Sequence, residues 1–560
     1  MTVAEESQSP FLSMEIDPTP DPGRTNRLYA FVSNALTKIK ASKKRTLLIF
    51  GWSLYLVVAL SRNFERAYPL AVCSVIVVAL LTYHFCVKPV IQARIDAVQQ
   101  KIYTHWKKVW NLKSVRWCVC GSTSVLSIGL LVWDAWNEKW RLVSGFGLLA
   151  LLFLMFLCSK HRTKIQWRPV IWGVVLQFII GILMLRAKIG QRFLNFMSQQ
   201  ATVFLSYTDH GTRFVYGFLV TPPDGLLPVI AFTILPTIIF FGAVISILYH
   251  FGILQFVIGR VAGVMQVTMG TTAAESLSAA ANMFLGSTEA PLLIKPYLAQ
   301  MTASELHAIM TAGFATTAGA MYKAHLLVAS LMSIPAALAV SKLVYPETEE
   351  SNTRTAEQLK LDKGNEKSAL EAAANGAYTG MMLVLNIIAN LIVYLALLAL
   401  VNAVLGFLGQ LVDVPDLTVE RIFSLVMFPL AFLLGAGNDM EELSRVAELI
   451  GIKTAMSEFV AYEKMGKYVS EGLLTARARL VATYALCGFS NFTALGIQLG
   501  GIGAMCPEKK SQLAQLGLRA LMAGSVACFM TACVAGLLTN DAMECVSMEQ
   551  IFCNNCTTKA

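Results

Sequence analysis

Residues 270–299 constrain this chain more than any other stretch. Most of them are apolar or small-sided, so the stretch reads as membrane-buried helix. Gly286-Ser287-Thr288-Glu289-Ala290-Pro291 cuts it in two. Each half is about 13 residues, or ~20 Å at helical rise. A full crossing must span ~30 Å of hydrocarbon. The pair is therefore expected to enter, turn near the middle and leave on the same side. Such a hairpin leaves backbone groups at its tip without helical partners, which is tolerated only inside protein or beside a water-filled cavity. The tip also carries Glu289, and a carboxylate at that depth needs a partner or a ligand.

Residues 478–507 have the same form. They are apolar and broken at Cys487-Gly488-Phe489-Ser490-Asn491. Two interrupted hydrophobic segments, one in each half of a chain, point to a transporter built from structural repeats. Composition agrees, with 56% hydrophobic and 14% charged residues, where soluble domains carry about 25% charged. The expected fold class is an all-α polytopic membrane protein, a repeat-built transporter with two re-entrant helical hairpins. The net charge of +10 does not imply nucleic acid. Its Lys and Arg residues cluster beside hydrophobic segments, where they set orientation.

Residues 1–45 read as a disordered, basic cytosolic tail without a cleavable signal. Residues 46–165 hold the N-terminal transmembrane helices, near 46–61, 68–87, 118–134 and 142–158. Basic clusters recur after every second crossing, at 88–117 and again at Lys160-His161-Arg162-Thr163-Lys164, which places them and the N-terminus inside. Residues 166–345 form the first half of the core, with the hairpin 270–299. Within it, 190–218 is mixed aromatic and polar and is expected to lie along the interface. Residues 346–377 are a polar linker. Residues 378–540 are the second half, with a single partly polar helix around 440–465 and the hairpin 478–507. Residues 541–560 are a polar tail. Its Cys545, Cys553 and Cys556 suit a disulfide better than a metal, and Asn555-Cys556-Thr557 is a rare sequon form favouring the outer side.

Several motifs carry a family resemblance. They are Gly286–Pro296, Ser304–Phe314, Ser341–Glu347, Glu458–Glu463, Ala485–Asn491, Arg519-Ala520-Leu521 and Val526–Cys533. On these, the chain from about 165 to 540 resembles the concentrative (sodium-coupled) nucleoside transporter family. The resemblance implies sodium-driven uptake of nucleosides across the plasma membrane. It implies a homotrimer, an elevator-like motion of the hairpins with their partner helices, and an extracellular C-terminus. Sodium would serve as coupling ion, with no other cofactor and no enzymatic activity.

By the same resemblance, Glu289 binds the nucleobase, with Thr288 and Ser287 beside it. Ser287 stands where the family usually has glutamine. Glu458 binds ribose hydroxyls, a role that suits a bidentate acceptor, with Phe489 and Asn491 on the sugar side. Asn282, Leu285, Thr316 and Thr317 match the sodium positions, and a hard cation wants oxygen ligands. The blander readings are Glu289 paired with Lys295 or a backbone amide, an interhelical ion pair for Glu458, and helix packing by small polar residues at the sodium positions.

The chain also departs from the family. Ser457 replaces a common asparagine and Ala494 a usual serine. Gly437 stands at the place of a glutamate tied to cation coupling, with Asp439 read as a helix-start residue. After Gly319 about ten family residues are missing, so Met321-Tyr322-Lys323-Ala324-His325 leads straight onward. Two helices must then share 306–342, about 17 residues each, near the spanning limit. His325 reads as a turn or interface residue. These departures motivate one alternative, a transport-inactive homologue that acts as a nucleoside-binding receptor or regulator. A serine hydrolase at Ser490 lacks a base, since no histidine follows His325. A channel fits two ligand-rich hairpins less well than alternating access does. Purine or pyrimidine preference and ion stoichiometry stay open.

Overall fold

The computed structural model describes residues 51–62, 64, 71, 74, 139–220, 230–233, 235–283, 285–287, 289–316, 324–353, 366–413, 417–437 and 439–539. The expected helix near 118–134, most of that near 68–87, both tails and the tail cysteines lie outside them. The chain divides into two units, Met1–Ser127 and Ile128–Ala560. In the first, a helix covers 51–62, and Trp52 Nε1 donates to Ser74 Oγ at 3.2 Å. All that follows concerns the second unit.

Among the described residues every regular element is a helix. The first are α1 (Lys139–Leu157), α2 (Trp167–Gly181, continued by a π turn to Arg186) and α3 (Lys188–Tyr216). Next come α4 (Pro236–His250), α5 (Ile253–Met269), α6 (Ala273–Ala281), a 3-10 helix over Ala290–Gln300, and α7 (Ala303–Ala315). Then follow α8 (Ala324–Val344), α9 (Ala369–Gln410), α10 (Val419–Leu434), α11 (Met440–Ala455) and α12 (Glu458–Ser470). The last are α13 (Ala476–Leu486), α14 (Phe492–Met505) and α15 (Lys510–Leu538).

Five of the described helices are long and apolar enough to cross a membrane, or six if α4 and α5 count as one span bent by 82°. That bend sits at Gly252, whose φ of +76° suits a residue without Cβ. Burial separates two kinds of span. The windows in α8 and α15 are 89% buried, whereas those in α1 and α2 are 33% buried. Phe146, Leu149 and Phe153 on α1, and Ile392, Leu400 and Phe407 on α9, turn apolar surface outward. Lipid tails cover such surface at no cost. α3 alternates exposed apolar and polar side chains along 29 residues, the pattern of an interfacial helix.

Two expected helix boundaries need correction. The residues between 306 and 342 do not divide evenly. α7 begins early, because Thr302 and Glu305 form a capping box (Thr302 N–H to Glu305 Oε2, 2.9 Å), and it stops at Thr316, where the backbone is extended. It has 13 residues and α8 has 21. The partly polar helix at 440–465 is two helices. Met456 leaves helical geometry, and Ser457 restarts the chain as the N-cap of α12.

Candidate functional site

The first interrupted stretch is a hairpin with short arms, but the second does not form the expected hairpin: α13 and α14 scarcely touch, so 478–507 is a helix interrupted at 487–491, and the helices that pack side by side there are α11 and α12. The first is α6, a turn over 282–289, and the 3-10 helix that Pro291 opens. Glu275 starts α6 by accepting the Thr272 N–H at 2.7 Å. Its other carboxylate oxygen lies 2.8 Å from Lys342 Nζ at the end of α8, and both side chains are almost wholly buried. Lys342 also donates to Ser304 Oγ at 3.0 Å. This buried pair anchors the base of the hairpin to the scaffold. Neither residue stood out in the sequence, although Thr272-x-x-Glu275 is a visible capping-box spacing.

Asn282 ends α6. It has no exposed surface, and both its Oδ1 and its Nδ2 lack a partner. A buried carboxamide with neither end satisfied is what an absent ligand leaves behind. α6 packs on α7, whose last turn leads to the extended Thr316. Thr316 Oγ1 donates its proton to Ala312 O at 3.0 Å, which keeps the hydroxyl lone pairs available to a cation. Leu285 is buried in the same turn, and Thr317 lies outside the described residues. Asn282 and Thr316 each offer an uncharged side-chain oxygen, a donor type that suits a monovalent hard cation better than a transition metal.

At the tip, Glu289 is half-buried and its Oε2 accepts the Gly286 N–H at 3.3 Å. No ion pair joins it to Lys295, which is exposed. The carboxylate therefore keeps most of its accepting capacity. Ser287 sits against α7, where a Cβ added to Gly313 would stand 3.0 Å from Ser287 Cβ. Thr288 lies outside the described residues.

The second interrupted stretch is tied down at its break, where α13 gives way to α14. Lys453 of α11 is fully buried and donates to Ala485 O (2.9 Å) and Cys487 O (3.3 Å), closing the end of α13. Gly488 has φ +104°, and an added Cβ would stand 2.8 Å from Phe314 O and 2.5 Å from Cys528 Sγ. Only glycine suits that conformation and that approach. Phe489 N–H then donates to Thr316 O at 3.3 Å, so the second break meets the break in α7 directly.

Asn491 serves two purposes. Its Oδ1 accepts the Ala494 N–H at 2.7 Å and caps α14, while its Nδ2 donates to Glu458 Oε2 at 2.8 Å. Glu458 is the first residue of α12 and is buried. A carboxylate there gains from the unpaired N–H groups and the dipole at the helix start. Thr493 Oγ1 also donates to Met456 O at 3.3 Å, so the break at 456–457 and the second interrupted stretch are interlocked. The ring of Phe489 lies 6.5 Å from that of Phe459. Among the described residues no hydrogen bond joins Glu289 to the Glu458–Asn491 pair.

Asp439 caps α11 by accepting the Glu441 N–H at 3.3 Å. A Cβ added at Gly437 would run into the Glu442 carboxylate. Glu442 Oε1 accepts the Thr475 N–H at 2.5 Å, at the start of α13. A buried carboxylate thus fills the space beside Gly437. His325 opens α8 and its Nδ1 lies 3.2 Å from Tyr484 Oη. Sequence reasoning missed Lys453, Glu442 and Gln498. Lys453 and Gln498 are lone charged or amide residues in locally apolar runs, which was the available signal, whereas Glu442 stands in the charged stretch 439–445 and carried none.

The chain matches the family models "Na+ dependent nucleoside transporter N-terminus" over residues 146–219, "Nucleoside recognition" over 231–335 and "Na+ dependent nucleoside transporter C-terminus" over 325–536. It is 39% identical over 566 residues to "Solute carrier family 28 member 3" of Eptatretus stoutii, covering 95% of this chain and 80% of that protein. It is 40% identical over 530 residues to "Sodium/nucleoside cotransporter 1" of Homo sapiens, covering 90% and 79%. Among solved structures it is similar to CNTnw in an inward-facing substrate-bound state, with TM-score 0.66 and 33% identity, over 71% of this chain and 97% of that one. This chain belongs to the sodium-dependent nucleoside transporter family.

Proposed function

We propose that this protein is a secondary active transporter that carries nucleosides into the cell together with sodium. The observation that carries this reading is Asn282, fully buried in the first hairpin turn with both polar atoms unpartnered. Sodium bound by Asn282 and Thr316, with the backbone carbonyls of Leu285 and Thr317, satisfies that side chain. It also stiffens the turn that presents Ser287, Thr288 and Glu289 to the base. Glu458, Asn491 and Phe489 hold the ribose. Sodium and nucleoside then favour one another's binding reciprocally. Each positive charge moving inward with the potential gains ~2.3 kcal/mol per 100 mV.

The chain works as a multi-pass plasma-membrane protein and as a homotrimer. Its organisation is a cytosolic tail (1–45), N-terminal helices (46–165), two core halves (166–345 and 378–540) around a linker (346–377) whose last residues already belong to α9, which starts at Ala369, and an extracellular tail (541–560). Uptake of radiolabelled uridine and adenosine, in sodium and with choline replacing it, tests the reading. Sodium-dependent uptake is expected, with at least a tenfold loss in Glu289→Gln and in Glu458→Gln, since each removes a charge-assisted hydrogen bond. Uptake indifferent to sodium rejects the ion site. A surface-expressed protein that takes up nothing rejects transport.

A further inference from the structure

Gln498 lies in the middle of α14, among apolar and glycine residues, and has no exposed surface. Its Nε2 donates to the main-chain carbonyl of Met310 on α7 at 3.2 Å. That contact fixes the orientation of the amide, because a carbonyl can accept only from its NH2 end. The other end, Oε1, is buried without a partner. Buried polar atoms in native proteins are nearly always satisfied, so an orphaned acceptor in the core points to something that is bound there in use.

The neighbourhood indicates what binds. Met310 and Gly313, three residues apart, share a face of α7. A Cβ at Gly313 would run into Gln498 Nε2 and would stand 3.0 Å from Ser287 Cβ. Gln498 and Ser287 thus converge on one point, one from α14 and the other from the first hairpin, one turn before the break at Thr316. The short Ser287 side chain leaves that space to an amide arriving from α14. On α14 itself, Asn491, Ala494 and Gln498 follow helical spacing along one buried face. Seven residues separate Asn491 from Gln498, ~10 Å at helical rise, which is the order of a nucleoside's length. The same helix face therefore carries the ribose-side Asn491 at one end and an unsatisfied acceptor at the other.

We propose that Gln498 is a nucleobase-binding residue that sets base specificity, its Oε1 accepting an N–H from the base edge. The inference rests on the site assignment under the proposed function. It selects bases that offer a donor at that edge, such as N3–H of uridine or the exocyclic amine of adenosine. A base whose donor is methylated leaves the buried oxygen unpaired and is rejected.

The test is binding to the purified full-length protein in sodium, read with tritiated uridine and tritiated adenosine. Competition by 3-methyluridine and by N6,N6-dimethyladenosine measures the preference for the N–H donor, and transport is followed separately in proteoliposomes. The unmodified protein is expected to prefer at least one parent nucleoside over its methylated analogue by tenfold or more. Gln498→Leu is expected to weaken that nucleoside about tenfold, the scale of one hydrogen bond, and to erase the preference. Its sodium dependence stays unchanged. Adding Ser287→Gln to Gln498→Leu, which returns an amide to the same point from the other side, restores part of both. Should the leucine variant fail to fold, the unbranched Gln498→Met carries the same measurement. Unchanged binding in the variant overturns the proposal. So does weaker binding with the preference intact, which would mean that the amide only packs. If the unmodified protein binds no nucleoside, the transport reading falls first and this one with it.

Discussion

The two interrupted stretches, one a hairpin and the other a broken helix, differ in how their breaks are satisfied. The second pairs most of its polar groups: Lys453 takes up two carbonyls at the end of α13, Asn491 caps α14 and bonds Glu458, and Phe489 N–H reaches Thr316 O. The first pairs its tip backbone locally, with Glu289 N–H and Ala290 N–H both on Gly286 O, and leaves its side chains open. Asn282 has two orphaned atoms, and Glu289 holds one long bond, to Gly286 N–H. Its second arm is a 3-10 helix containing Pro291 and Pro296 rather than an α-helix. Buried groups left unpaired cost about 1–3 kcal/mol each, so a ligand at the first tip, as proposed above, would remove that cost, while the paired groups of the second stretch need none.

The contrast can be broken most forcefully at Lys453. Lys453→Met leaves two buried carbonyls unpaired and is expected to cost about 2–5 kcal/mol. A lower melting temperature in detergent and poor surface expression should follow; a protein that melts normally would show that the second break does not depend on the amine. The comparison is sharpened by pairing Asn491→Ala with Asn282→Ala. The first loses a cap and a buried bond and should destabilise the protein by about 1–3 kcal/mol with or without sodium. The second removes groups that have no partner. In sodium-free buffer its melting temperature should hold or rise, while the stabilisation normally added by sodium disappears. Equal losses in both variants without sodium would refute the distinction. The smallest effect is expected at Ser457, whose hydroxyl accepts the Val460 N–H at 3.5 Å. Ser457→Ala should cost about 0.5 kcal/mol, at the low end for an N-cap, and leave sodium-dependent uptake in place.

Much of this was legible in the chain. An apolar stretch cut at Gly286–Pro291 is too short in each half to span, so the first hairpin follows from length and hydropathy; the second cut at Cys487–Asn491 looks the same in sequence but separates two helices that scarcely touch, because hydropathy does not report whether the chain turns back at a break. Residue types at the breaks were legible too, since carboxylates and carboxamides in apolar runs are costly without a purpose. The even sharing of 306–342 and the continuous helix at 440–465 were not, because hydropathy does not report where a capping box starts a helix or where backbone at Thr316 and Met456 leaves helical geometry. Lys453 and Gln498 were not singled out, because nothing local says which distant carbonyl a lone amine or amide will reach.

What the sequence determined by itself is local: which stretches are too short to cross, which residues bend or cap them, and which polar groups must find partners in a membrane. What only the tertiary structure decided is which of those groups found one. Thr316 O meets Phe489 N–H across 173 positions of chain, Lys453 reaches Ala485 O, and Gln498 meets Met310 O while its other end stays empty. The reason is physical. Hydrogen bonding in a dry interior is a matter of a few ångströms between elements far apart in sequence, and no local pattern encodes that distance.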